Sequence, residues 1–309
     1  MEAELIAWFR RTLPPHPRLL VGPGDDDAAV VRWRDDDLVL TVDVVTDQVD
    51  FRLDEIDARL AGHKALAVNL SDLAAMAARP VAAVIGLVLP CAGGLELAKS
   101  LYAGLVPLAE RYGVALAGGD VNTWDGPLAI SVTLVGEVPP GGALRRNGGR
   151  VGDRLLATGD FGGSILGRHL TFEPRVHEAL LLRERYELHA GIDVSDGLSL
   201  DAAHLAEASG AGVALELTSI PIAPAAQDLS SQRPDGQTPL EHALYDGEDF
   251  ELLLAVPPKV AEEIVRDQPL GVPVTDVGRF VAEPGLWQVD AAGRRTPLAP
   301  RGWQHRFEP

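Results

Sequence analysis

The scarcities of this chain narrow its chemistry first. Its 309 residues include one cysteine, Cys91, so neither an intramolecular disulfide nor a thiolate metal cluster is available. Aromatic residues make up 5%, too few for a platform on which bases stack. Positive charge is short: 27 Lys and Arg stand against 45 Asp and Glu, a formal net charge of -18. That imbalance argues against binding a nucleic-acid backbone or an anionic membrane. It would repel a nucleotide too, unless divalent cations reverse the local field. The longest apolar runs, such as Pro80 to Pro90, are too short to span a bilayer. Met1-Glu2-Ala3-Glu4-Leu5 has neither the basic nor the apolar region of a secretory leader, so a reducing cytoplasm is expected. The histidines are scattered, with no metal-binding or Ser/His/Asp arrangement; His63 and His204 read as surface or core residues.

Hydrophobic residues, by contrast, reach 46%, enough for sizeable cores, and the length suggests about two domains. The stretch Lys64-Ala65-Leu66-Ala67-Val68-Asn69-Leu70-Ser71-Asp72-Leu73-Ala74-Ala75-Met76 contains good helix formers and no Gly or Pro, which predicts a helix. It is apolar nearly all round, which predicts burial between layers. Lys64, Asn69 and Asp72 share part of one face. A carboxylate there needs a partner. Two readings follow: an internal Lys–Asp or Asn–Asp pair, or Asp72 presented to a metal ion at a cleft.

In chain order, Glu2 to Thr12 reads as an amphipathic helix ended by Pro14, Pro15 and Pro17. Gly22-Pro23-Gly24-Asp25-Asp26-Asp27 reads as a turn feeding a strand: either a solvated acidic turn or a bend aiming carboxylates into a site. It is not a phosphate-cradling Gly-Lys-Ser/Thr loop. Leu38 to Thr46 is a strand interrupted by Asp43, an unfavourable position for a residue without a task. Val81 to Leu89 is a strand, Leu95 to Tyr112 a helix, and Gly113 to Leu116 a short strand opening into Gly118-Gly119-Asp120. Leu128 to Val138 is a further strand. Pro139-Pro140-Gly141-Gly142 breaks the chain, giving domains 1–138 and 139–309. Arg145 and Arg146 beyond it are a solvated linker or a phosphate clamp. Gly152 to Gly159 is a strand, and Gly159 to Ser164 starts a helix. Asp193 sits on a strand, Asp196 is a helix N-cap by itself, Gln227 to Thr238 is a surface loop, and Asp246 to Leu254 is an acidic turn into a buried strand. Trp303 is core filler or a lid.

Asp26, Asp43, Asp72, Asp120 and Asp193 thus recur at strand ends or in buried elements, most of them beside glycine. All-oxygen ligands suit magnesium or calcium, and magnesium usually arrives with phosphates. The pattern predicts a nucleotide held by metal ions in an acidic cleft.

Gly24-Asp25-Asp26, Asp43, the helix ending Asn69-Leu70-Ser71-Asp72-Leu73-Ala74-Ala75-Met76, Gly118-Gly119-Asp120, Ile192-Asp193-Val194-Ser195-Asp196-Gly197-Leu198 and Gly247-Glu248-Asp249-Phe250-Glu251-Leu252 together resemble the thiamine-monophosphate kinase family, nearly end to end. The resemblance implies the two-domain fold of aminoimidazole ribonucleotide synthetase, with an N-terminal domain forming a dimer barrel, ATP near its interface, and a C-terminal α/β domain completing the site. It implies transfer of the ATP γ-phosphate to thiamine monophosphate with several Mg2+ ions. It implies that Asp26, Asp43, Asp72, Asp120 and Asp193 ligate magnesium, helped by Thr41 and Asp196. Gly119, Asp120, Arg146 and Ser195 would touch ATP; Glu248 and Trp303 would border the thiamine site.

Three features depart from the family pattern. Gln48-Val49-Asp50-Phe51 places Asp50 where the family has a substrate-contacting His. Val42 replaces a usual Thr. The segment between Ser164 and Arg168 is short. A kinase acting on thiamine monophosphate, a same-fold enzyme with another acceptor, and a non-catalytic nucleotide-binding homologue therefore stand as the readings. A phosphate acceptor is already nucleophilic, so no general base is expected. Two related families use a reactive or C-terminal Cys; Cys91 fits neither and reads as a buried packing residue.

Overall fold

The computed structural model describes residues 2–13, 16–22, 25–33, 36–232 and 236–304. The N-terminal lobe runs α1 (Glu2–Thr12), β1 (Leu19–Val21), β2 (Ala29–Trp33), β3 (Asp36–Thr46), α2 (Ala58–Ala75), β4 (Arg79–Pro90), α3 (Gly94–Tyr112), β5 (Ala115–Trp124) and β6 (Ala129–Glu137). The C-terminal lobe follows with β7 (Arg154–Thr158), α4 (Arg168–Thr171), α5 (Val176–Arg185), β8 (Ala190–Asp193), α6 (Leu198–Ala208), β9 (Gly212–Glu216), α7 (Pro224–Gln232), α8 (Pro239–Tyr245), β10 (Leu252–Val256), α9 (Pro258–Asp267), β11 (Val274–Val281), β12 (Gly285–Val289) and β13 (Arg295–Pro297). Each lobe is built on a mixed sheet, in the order β1-β2-β3-β6-β4-β5 and β13-β12-β9-β11-β7-β10-β8. The result is a two-domain α/β fold.

Helix α2 is the shared centre. The Asp57 side chain caps it by accepting from the Arg59 N–H, which satisfies an otherwise orphan donor. The helix therefore begins six residues before Lys64. Leu66, Leu70 and Leu73 are fully buried, each burial contributing about 1.5–3 kcal/mol. The helix packs on β3 and β6 below and on β8, α4 and α5 of the other lobe. Its approach to α3 is close because of two glycines. A Cβ on Gly62 would lie 1.9 Å from the Leu101 carbonyl oxygen, and one on Gly104 would lie 1.8 Å from that of Arg59.

Several sequence expectations are corrected. Gly118-Gly119-Asp120 is not a strand end but the middle of β5, which pairs with β4 as far as Trp124 after a bulge at Gly118, whose φ is +136°. Parallel pairing along the whole edge outweighs the local turn signal. Residues 224–232 form α7 rather than a loop, because Ala226 and Leu229 supply an apolar stripe that is buried. After Ser164 the chain makes a single 3-10 turn, Ser164–Leu166, before the one-turn α4. Cys91 is exposed, since it follows β4 in a turn instead of facing the core. Pro14, Pro15 and Gly24 lie outside the described residues.

Candidate active site

An acid cluster forms where the lobes meet. Asp26 and Asp27 come from the turn before β2, Thr41 and Asp43 from β3, Asp72 from α2, and Asp193 from the end of β8. Carboxylate oxygens of Asp27, Asp72 and Asp193 all lie within 4.8 Å of one another. Ser71 Oγ donates to Asp193 Oδ2 at 2.6 Å, and Thr41 Oγ1 donates to Asp72. The Arg146 guanidinium donates to Asp27, and its backbone N–H donates to Asp26 at 3.1 Å. Asn69 does not meet Asp72: its Oδ1 accepts from the Asp43 N–H at 3.2 Å, and its amide donates to the Ala65 carbonyl.

So many carboxyls in low dielectric resist ionisation together. Burial, then the charge of Asp27, raises the Asp26 pKa to about 6. Burial raises that of Asp43 to about 6, helped by Asp50 and opposed by a hydrogen bond with Asp72. Asp72 and Asp193 are pushed well above the usual carboxylate range, by burial first and by neighbouring acids second. Asp27 Oδ2 is buried with no hydrogen-bond partner. A hard divalent cation fits such a donor set, since it supplies the missing positive charge to oxygen ligands only.

Beside the cluster opens a cleft of about 480 Å³. Asp43 belongs to both, lining the cleft and bonding to Asp72. The cleft walls also carry Asp50, Lys64, Ser195, Asp196, Glu248 and Trp303. Lys64 is fully buried, yet it pairs with neither Asp72 nor Asn69. Its Nζ crosses the cleft floor to Glu248 and donates to the Asp50 carbonyl at 2.7 Å. Glu248 has φ +65°, a costly conformation for a residue with a Cβ. It is held there by its N–H donating to the Ser195 carbonyl at 2.7 Å and by Ser164 Oγ donating to its own carbonyl at 2.6 Å. The segment carrying Trp303 is pinned along α6: the Trp303 N–H donates to the Asp196 carbonyl at 2.9 Å, and Ser199 Oγ donates to the Arg301 carbonyl at 2.7 Å. Trp303 is 57% exposed, which removes the core-filler reading.

The described chain thus gathers Asp26, Thr41, Asp43, Asp72, Asp193 and Arg146, and sets Asp50, Ser195, Asp196, Glu248 and Trp303 around the adjoining cleft. It does not bring Asp120 to them. Asp43 shares a row with Val132, Ile85 and Gly119, whereas Asp120 shares the next row with Gly86, Ser131 and Val44. Successive rows face opposite sides of a sheet, and Asp120 is exposed on the outer one. Asp196 is not the N-cap of α6; Gly197 takes that position, and Asp201 accepts from the N–H groups of both. Asp196, Asp201 and His204 form a second group with ligand atoms within 4.8 Å. Arg146 is no solvated linker residue. Asp50 does not aim at an anion: its carboxylate turns back to accept from the Thr46 N–H at 2.6 Å. Reading the sequence missed Asp27, although it stands in the quoted acidic run, and missed Asp246, which no spacing distinguishes from its acidic neighbours.

Models of the AIR synthase related protein match this chain, the N-terminal domain over residues 25–138 and the C-terminal domain over 141–287. A thiamine-monophosphate kinase of Rhodopirellula baltica is 44% identical over 315 aligned residues, covering 99% of this chain and 97% of that one. The thiamine-monophosphate kinase of Escherichia coli is 34% identical, covering 91% of both. Among solved structures, AaThiL complexed with AMPPCP and TMP superposes with a TM-score of 0.84 at 28% identity, covering 99% of this chain and 97% of that one. The E. coli hydrogenase maturation protein HypE, at 18% identity and a TM-score of 0.71 over 98% of this chain and 99% of that one, shares the fold.

Proposed function

This chain belongs to the thiamine-monophosphate kinase family of AIR synthase-related proteins, and from that premise we propose how its residues carry the reaction. The reaction is transfer of the γ-phosphate of ATP to thiamine monophosphate, giving thiamine diphosphate. The observation that carries the assignment of residues is the double role of Asp43, which joins the acid cluster to the cleft.

Asp26, Asp27, Asp43, Asp72 and Asp193 would hold divalent cations, magnesium by the hardness of the donors and the phosphate chemistry, with Thr41 and Asp196 assisting. When bound, such ions neutralise phosphate oxygens so that two anions approach in line. The residues do the rest. Thr41 and Ser71 fix the rotamers of Asp72 and Asp193. Arg146, anchored by Asp26 and Asp27, presents charge to the nucleotide, beside Ser195 and the bare backbone of Gly119. Glu248, oriented by Lys64, borders the acceptor with Asp50 and Trp303. No general base is needed, because an acceptor phosphate oxygen is already nucleophilic. No observation favours another acceptor or an inactive homologue.

A second copy of the chain would cover the outer face of the first sheet. Val42, Val44 and Val84 lie on that face and are 58%, 58% and 45% exposed, an apolar surface that an isolated subunit rarely leaves open. This would make a homodimer whose barrel carries Asp120 and whose interface adjoins the ATP site. Among the described residues no helix is long and apolar enough to cross a membrane. We place the protein in the cytoplasm, where ATP is at hand.

Purified protein incubated with ATP, MgCl2 and thiamine monophosphate should release ADP and form thiamine diphosphate in equal amounts. ATP binding without turnover would remove the proposal.

A further inference from the structure

We propose that Asp246, held in place by His242, is the carboxylate that recognises the positively charged ring of the acceptor. The assignment rests on the thiamine-monophosphate reading above and adds a residue to it.

Each of four other cleft acids is already engaged. Asp43 belongs to the cation cluster through Asp72. The carboxylate of Asp50 is taken up by Thr46, and Glu248 shares its charge with Lys64. Asp196 has Asp201 and His204 within a metal-ligand spacing. Asp246 differs. Its side chain is 22% exposed and lines the cleft, and no Lys or Arg forms an ion pair with it among the described residues.

What holds Asp246 is a pair of donors from separate elements. The Gly163 N–H donates to Oδ2 at 3.1 Å. His242, one turn earlier on α8, places Nδ1 3.0 Å from Oδ2 and 3.2 Å from Oδ1. A carboxylate oxygen accepts, so Nδ1 is the donor of this pair and Nε2 points elsewhere. That Nε2 is buried without a partner, and His242 itself is fully buried. A buried imidazole with an unsatisfied nitrogen is costly. Here it holds a carboxylate on the wall of a cleft that Ile165 and Trp303 also line, while the Tyr245 ring on the same wall is covered by the Arg301 guanidinium. A flat cationic heterocycle matches that combination: apolar and aromatic faces for the ring, one oriented anion for its charge. Thiamine monophosphate carries its permanent charge on such a ring.

The test measures dissociation constants by calorimetry for thiamine monophosphate and for its reduced tetrahydro analogue, which has lost the ring charge. The intact protein should bind the cationic form at least about tenfold more tightly, and Asp246→Asn should erase that preference. AMPPCP affinity should stay within about twofold, as the residues proposed for the nucleotide, Arg146, Ser195 and Gly119, do not include Asp246. His242→Asn keeps a donor near the Nδ1 position and should keep the preference; His242→Phe should lose it. An Asp246→Asn protein that still prefers the cationic form to the same degree overturns the assignment. Failure of the intact protein to phosphorylate thiamine monophosphate overturns both this and the function above, and so is told apart from it.

Discussion

Asp43 and Asp120 stand in neighbouring rows of one sheet and point to its opposite faces. Reading them as ligands of one site asks a single subunit to do what its pleat forbids, so in the dimer proposed above Asp120 serves the site of a second copy. Asp43→Asn and Asp120→Asn should each lower kcat by about 10²–10³-fold, the usual effect of removing one electrostatic contributor. Mixing the two variants under conditions of subunit exchange should recover activity. No recovery after verified exchange would return Asp120 to its own subunit.

Stability should depend on pH and magnesium together. A carboxyl whose folded pKa exceeds its unfolded value favours folding fully below 3.8 and loses that contribution as pH rises through about 6, as Asp26 and Asp43 do. Ionising the cluster without counter-charge therefore weakens the fold between these limits. Metal-free protein should melt at a lower temperature at pH 7.5 than at pH 5.5. Added MgCl2 should raise the midpoint more at pH 7.5, because cations and protons compete for the same oxygens. An equal magnesium effect at both values would contradict the assignment.

Removing the Lys64 charge leaves Glu248 facing the cleft floor alone. Lys64→Met should destabilise by about 1–3 kcal/mol, below the range for a wholly buried pair because Glu248 is partly solvated. It should also raise KM for thiamine monophosphate more than KM for ATP. Lys64→Met combined with Glu248→Gln should restore much of the stability but not the KM. Denaturant midpoints and initial rates settle both parts.

Gly104→Ala should cost more than the small helix-propensity gain it brings. Its Cβ would meet the Arg59 carbonyl oxygen at 1.8 Å, and backbone cannot rotate away as a side chain does. A loss of about 3 kcal/mol or more follows from overpacking, read as a shifted urea midpoint with unchanged slope. Ala at Gly113, where nothing lies within 4 Å but φ is +69°, should cost only about 1 kcal/mol.

Much of this was legible in the residues. The composition of 64–76 announces a buried helix, and Asp43 in a β-branched run announces a residue kept for a task. Other features depend on contacts far along the chain. The strand propensity around Gly118-Gly119 is poor, and only the β4 edge makes it a strand. Lys64 lies eight residues from Asp72 and 184 from Glu248, and helical spacing favours the wrong partner. Asp27 and Asp26 are indistinguishable in a turn, where no period separates inward from outward. Glu248 carries no sign of its left-handed backbone, since two tertiary hydrogen bonds to its main chain impose it.

Helix α2 contributes to a continuous core that takes in Leu66 and Leu70 from one lobe and Leu182, Leu254 and Val256 from the other. The C-terminal lobe also has a core of its own around Phe161, Leu205 and Phe280, but the core it shares with the N-terminal lobe is lost when the two part. Heating should therefore melt the protein in one calorimetric transition, with van't Hoff and measured enthalpies in agreement. A fragment cut at residue 138 would expose the upper side of α2 and aggregate rather than persist as an autonomous unit.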